Sequence, residues 1–172
     1  MKRIFTFFFA LLSACTFSAY AVVVDGTYGD NLTWTLNTKD STLVISGTGP
    51  MTNYSSRAPW SDYKSYIKYV TLPDGLTSIG SYAFNDCYNL TSITIPNSVT
   101  NIGALAFYYC RSLTSPVYNA HCFAYMPSSY EGHYIIPDGI KQIASGAFYS
   151  CYSLTDITIP NSVTSIGSYA FY

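Results

Sequence analysis

The sequence predicts an α/β solenoid. Its coils have 23 residues, with short parallel strands and short helical or 3-10 turns, and a β-hairpin cap precedes them. Three observations carry this prediction. The stretch "LTSITIPNSVTNIGALAFYYC" at residues 90–110 returns as "LTDITIPNSVTSIGSYAFY" at residues 154–172. The prolines of an I/L-P-N/D turn stand at Pro73, Pro96, Pro137 and Pro160, spaced 23, 41 and 23. Ala-Phe pairs at Ala83, Ala106, Ala147 and Ala170 keep the same spacings, so two independent columns hold one period. The 41-residue step fits one full coil plus a shortened one of 18 residues.

In chain order, residues 1–21 read as a signal peptide. Lys2 and Arg3 form its positive end, an apolar run too short to span a bilayer comfortably follows, and Ala19 and Ala21 make a small-x-small cleavage site. A second reading stands beside it: "LSAC" at residues 12–15 is similar to a lipobox, which makes Cys15 a candidate lipidation site and implies an outer-membrane tether. Both readings place the chain outside the cytoplasm, secreted or on the cell surface. Residues 22–68 are expected to cap the solenoid. Residues 22–29 read as a short lead-in. In "NLTWTLNTKDSTLVISGTG", Leu32, Trp34 and Leu36 alternate, as do Leu43 and Ile45, around a turn-like "NTKDS", which predicts a β-hairpin. Trp34 and Leu36 are expected to cover Val70 and Leu72. Trp60, Tyr63 and Ile67 follow Pro59 at helical spacing and predict one or two helical turns.

Residues 69–172 form the expected solenoid. In each unit "ITI" is a β-branched strand, with Ile93 and Ile95 on one face and Thr94 on the other. Pro96 ends the strand because it has no N–H, and "NS" turns the chain. Val99 and Ile102 point inward from a second extended piece, Gly103 allows a sharp corner, and "ALAFYYC" makes a short helical or 3-10 turn. One coil buries little alone. Stacking places Ile93 over Val70, Ile95 over Leu72 and Phe107 over Phe84, each large side chain contributing about 1.5–3 kcal/mol before entropy. About five coils at strand spacing make a rod of roughly 20–25 Å. Residues 116–134 are expected as an irregular insertion, with Val117 and Tyr118 still extending the sheet and a loop over residues 126–132. The chain ends in mid-unit at Tyr172, which suggests either a piece of a longer protein or end-to-end self-association.

The units at residues 90–110, 136–151 and 154–171, and more loosely 70–87, resemble the BspA-like leucine-rich repeats of bacterial surface proteins, a branch related to the Treponema pallidum leucine-rich repeats. That resemblance implies a leucine-rich repeat solenoid displayed or secreted by a bacterium and associated with adhesion to host or bacterial surfaces.

Composition narrows the function. The chain is 49% hydrophobic but 10% charged, against about one quarter charged in ordinary soluble domains. Its net charge is -1, with Lys and Arg totalling 8, so the basic stripe of a nucleic-acid binder is missing. Cys87, Cys110 and Cys151 share one column and read as small buried hydrophobes rather than disulfides or metal ligands. His121, Cys122, Glu131 and His133 are the one ligand-like cluster, and their spacing matches no metal signature. No nucleophile–base pattern stands out, so no catalytic residue, metal or cofactor is expected. Function is sought on the solvent-facing strand rows. One row is Thr71, Thr94, Ile135 and Thr158; the next is Tyr69, Ser92, His133 and Asp156. Together they make a nearly neutral hydroxyl strip suited to an extracellular protein or glycan. The competing expectation is a structural spacer or capping piece of a larger surface protein.

Overall fold

The computed structural model describes residues 21–172, so the expected signal segment and the candidate lipidation site Cys15 lie outside the described residues. Strands β1 (Val23–Tyr28), β2 (Leu32–Asn37) and β3 (Thr42–Gly47) form an antiparallel meander. The hairpin of β2 and β3 lies where the alternation puts it: Leu32, Trp34 and Leu36 are buried and the threonines between them exposed. The expected lead-in is instead the third strand, β1. Its pattern is hard to read because Asp25 and Gly26 interrupt it. Gly26 is needed there, since a Cβ would lie 2.7 Å from Trp34 Nε1.

The meander docks on the solenoid through β3, which runs parallel to β5 (Tyr69–Thr71), with Leu43 beside Val70. Leu43, rather than Trp34 and Leu36, therefore covers the first coil. Leu36 pairs with Leu43 one strand further out, and the Trp34 ring packs on Trp60 at 5.9 Å. Between them the chain makes a 3-10 helix, Ser61–Tyr66, preceded by a fully buried Trp60. The Trp60 indole N–H donates to the Ala83 carbonyl at 2.8 Å, and Lys64 pairs with Asp86 at 2.9 Å, fixing the cap to the next turn.

The repeats are coil 1 (residues 67–89), coil 2 (90–112), the short coil 3 (113–130), coil 4 (131–153) and coil 5 (154–172). The first strands of the regular coils are β5, β7 (Ser92–Ile93), β11 (Gly132–Ile135) and β13 (Leu154–Thr158). The second row begins with β4 (Gly49–Pro50) in the cap and continues as β6 (Leu76–Ile79), β8 (Asn101–Ile102), β10 (Cys122–Tyr125), β12 (Gln142–Ile143) and β14 (Ser165–Ile166). Where neighbours pair within these rows they are parallel and in column register, as with Val70 and Ile93 or Ile79 and Ile102. The inward side chains Val99, Ile102, Ala106, Phe107 and Cys110 are all buried, as the alternation requires.

The third side of each coil is a run of turns closed by 3-10-type bonds, such as Ala83 N–H to Gly80 O and Cys87 N–H to Phe84 O, but it does not continue as a helix. Tyr82, Leu105, Gly146 and Tyr169 share one column at φ +58°, +52°, +70° and +57°. Four residues later Asp86, Tyr109 and Ser150 sit at +58°, +60° and +59°. A helix would consume its amides internally. Here left-handed residues break the helical run and turn alternate N–H groups along the solenoid axis. Tyr82, Phe84 and Asp86 donate to the carbonyls of Ala104, Ala106 and Tyr108 at 2.8–3.0 Å, and Gly146, Phe148 and Ser150 repeat the pattern toward coil 5. Gly103 has no left-handed φ. It is small because a Cβ would come within 2.4 Å of the Ser81 backbone nitrogen in the coil below, so close stacking rather than a corner explains it.

Coil 3 interrupts the rod. Pro116 stands in the column of Ile93 and has no N–H to offer β7. Strand β9 (Val117–Tyr118) folds back as the antiparallel partner of β10 instead of extending the first row. The residues expected as an insertion thus form a shortened coil, in which residues 126–131 hold no strand or helix. Among the described residues no strand pairing crosses from coil 2 to coil 3. Side chains do the joining. Buried Asn119 donates to the Pro96 and Val99 carbonyls at 2.7 and 2.8 Å, and accepts from the His121 and Cys122 amides at 2.9 and 2.7 Å. Gln142 reaches from coil 4 past β10 to coil 2. Its Oε1 accepts from Ile102 N–H at 2.9 Å and its Nε2 donates to Ile102 O at 3.1 Å, as a neighbouring peptide group would.

The same gap divides the aromatic core. Trp60, Phe84 and Phe107 stack at 5.9 and 5.3 Å. A second stack runs Phe123, Phe148 and Phe171 at 4.8 and 5.0 Å, with Phe123 supplied by β10 because coil 3 lacks the turn that would carry a phenylalanine. On the outside, Tyr108 of coil 2 meets Tyr149 of coil 4 edge-on at 4.7 Å, spanning the missing turn.

Candidate functional site

The expected strip falls on two separate sheets. Tyr69 and Ser92 are register partners on β5 and β7, with Thr71 and Thr94 beside them, all exposed. His133 pairs with Asp156, and Ile135 with Thr158, on β11 and β13. Coil 3 lies between the two groups, so the structure unites each set of four residues and does not unite the eight.

The two halves differ chemically. In the C-terminal half the side chains engage one another. His133 Nε2 lies 2.9 Å from Thr158 Oγ1 and 3.6 Å from Asp156 Oδ2, while Ile135 is 63% exposed. The N-terminal half is open. Tyr69, Thr71, Ser92 and Thr94 line an open groove of about 400 Å³ along β5 and β7, together with Val70, Leu72, Asp74 and Pro96. Tyr69 is 49% exposed. Asp74 is the residue that sequence reasoning missed, because it stands in the turn column with Asn97. Asn97 uses its Oδ1 to accept the Ala120 amide of the next coil at 3.1 Å. Asp74 forms no such bond among the described residues and is the one charged side chain on the groove wall. The legible signal was charge: a carboxylate in a turn position where a neighbouring coil is content with an amide.

The remaining candidate chemistry is quiet. Cys87, Cys110, Cys122 and Cys151 are free thiols, the first three buried. Burial raises Cys87 from the ordinary 9.0 to about 12 and Cys122 to about 11, and lifts Cys110 well above its usual range. All stay protonated at neutral pH and are poor nucleophiles or ligands. The Cys110 thiol contacts Phe84 O at 3.1 Å. Among the described residues no three His, Cys, Asp or Glu side chains are placed to share a metal ion. Cys122 faces Gln142 Oε1 at 3.4 Å, whereas His133 faces Thr158 on another sheet. On the opposite side Tyr108, Tyr109 and Tyr149 form one ring cluster, with the Arg111 guanidinium 4.5 Å above Tyr109.

Residues 62–172 match the BspA type leucine rich repeat region in 6 copies. A search of curated proteins finds no match. Among solved structures, a leucine-rich repeat protein from Eubacterium ventriosum is 30% identical with a TM-score of 0.61, and the alignment covers 83% of this chain and 40% of that one. A leucine rich cell surface protein from Faecalibacterium prausnitzii is 27% identical with a TM-score of 0.46, over 86% of this chain and 45% of that one. The T. pallidum leucine rich repeat protein is 27% identical with a TM-score of 0.42, over 80% and 62%. The chain therefore spans less than half the length of the first two.

Proposed function

The chain belongs to the BspA-type leucine-rich repeat family, and from that premise we propose that it is a non-catalytic recognition module, secreted or held at a bacterial surface, that binds an extracellular protein or glycan through its strand face. The observation that carries this reading is the open groove on β5 and β7, lined by hydroxyls and one exposed tyrosine. Its floor is rigid. Strand β5 is hydrogen-bonded on both edges, to β3 and β7, so the groove is preformed and binding costs little ordering. The thiols are protonated, and His133, the strip's one histidine, is already engaged by Thr158 and Asp156. These features support binding rather than turnover. The apolar N-terminal segment with Lys2 and Arg3 supports export, with Cys15 as the alternative tether.

The test is saturable binding of the protein to immobilised extracellular-matrix proteins and to a glycan array. Saturation on either class is expected, and its absence on both would leave the spacer reading in place. Loss of membrane partitioning in Cys15→Ala would assign the tether; unchanged partitioning would remove it.

A further inference from the structure

Resting on that recognition reading, we propose that the groove on β5 and β7 is a subsite for a neutral carbohydrate, with Tyr69 as stacking platform and Asp74 as the hydrogen-bond acceptor that orients the sugar. Three properties of the groove select this chemistry. Its volume of about 400 Å³ lies in the range of small-ligand sites. Its wall alternates a half-exposed aromatic ring with the hydroxyls of Thr71, Ser92 and Thr94, which both donate and accept. A pyranose presents the matching surface: one apolar C–H face for the ring, and a rim of hydroxyls that likewise donate and accept. Asp74 adds a charged acceptor without a partner of its own, the group best suited to hold two adjacent sugar hydroxyls.

The same features exclude other occupants. No Lys, Arg or His lines the groove, so uronic or sialic acids meet an uncompensated carboxylate. Strand β5 is paired on both edges, so only the outer edge of β7 is left for an added peptide strand, and Val70 and Leu72, which also line the groove, are buried and offer little apolar surface to peptide side chains. Across coil 3 the second half of the strip has spent its polar groups on itself, so the subsite is confined to coils 1 and 2.

The experiment titrates the protein by calorimetry with a panel of neutral gluco-, galacto- and manno-oligosaccharides, with oligogalacturonate and sialyllactose as acidic counterparts. Variants are Tyr69→Ala, Tyr69→Phe and Asp74→Asn; the last places in coil 1 the residue type that coil 2 carries at Asn97, so the turn is kept. At least one neutral oligosaccharide is expected to bind and the acidic ones not. Tyr69→Ala and Asp74→Asn should each weaken binding about tenfold, and Tyr69→Phe should restore most of the affinity. Neutral sugars that bind equally well to Tyr69→Ala and Asp74→Asn would move the site elsewhere. Failure of all neutral sugars with retained matrix-protein binding would overturn the carbohydrate subsite and leave the recognition reading standing. Failure of both would overturn the two together.

Discussion

Replacing Asn119 with alanine should cost the protein about 3–5 kcal/mol. The side chain is 7% exposed and uses all four of its hydrogen-bonding capacities, two donations to carbonyls of coil 2 and two acceptances from amides of coil 3. Each such bond is worth about 0.5–1.5 kcal/mol net, and more where the partner is left buried and unpaired. Ala120 to Asn97 is a neighbouring link that alanine leaves intact, so the loss should fall short of the worst case. Against a total stability of about 5–15 kcal/mol this is a large share, and it corresponds to a fall in Tm of about 10 °C. Urea titration followed by tryptophan fluorescence should show a lower midpoint with an unchanged slope. Asn119→Asp sharpens the test. The carboxylate keeps the two acceptances but faces the Pro96 and Val99 carbonyls, so its folded pKa should rise above the unfolded value of about 3.9. The variant's stability relative to the parent is then greatest below pH 4 and is lost as pH rises through the folded pKa. A cost below about 1 kcal/mol for Asn119→Ala, or an aspartate variant that gains relative stability from pH 4 to 7, would refute the role given to this residue.

Three further outcomes follow from the geometry. Gly103→Ala should destabilise by about 1–3 kcal/mol, measured by thermal melting, because its Cβ would collide with the Ser81 backbone. Ser150→Gly should stabilise by about 0.5–1 kcal/mol, since it relieves a left-handed non-glycine residue in the segment where coil 4 already uses Gly146. Alkaline titration should weaken the fold: Cys87, raised from 9.0 to about 12, contributes stability that is complete below pH 9 and lost as pH rises toward 12. The expected slope is about 1.4 kcal/mol per pH unit for that thiol. Cys87→Ala under reducing conditions should flatten the slope, which melts between pH 8 and 10.5 will reveal.

The regular coils were legible because two columns, the turn prolines and the Ala-Phe pairs, repeat with one spacing. Side-chain alternation then placed the buried faces, as in Val99 and Ile102. Three features were not legible, each for a physical reason. Strand β1 hides behind Gly26, chosen for the volume of Trp34 across the pair rather than for strand propensity. The left-handed positions fall on Tyr82, Leu105 and Tyr109, residues that seldom take that conformation and do so here because cross-coil amide bonds over-determine it. The division of the strip depends on Pro116, whose effect is felt in the neighbouring coil. Part of the groove was readable as exposed strand positions, but Asp74 was hidden in the turn column it shares with Asn97, since sequence shows its column and not the absence of a bond to the next coil.

Because side chains, not a continuous backbone ladder, join coil 2 to coil 3, this joint has a mechanical meaning. Tension along the rod would load the Asn119 and Gln142 amides before either block of strands sheared. A rod gripping a target through the Tyr69 groove and pulled from its C-terminal block would then lengthen in one discrete step at its middle, shedding load while the groove in the first block kept its shape. Pulling single molecules from both termini should record that early step, and Asn119→Ala should lower the force at which it occurs.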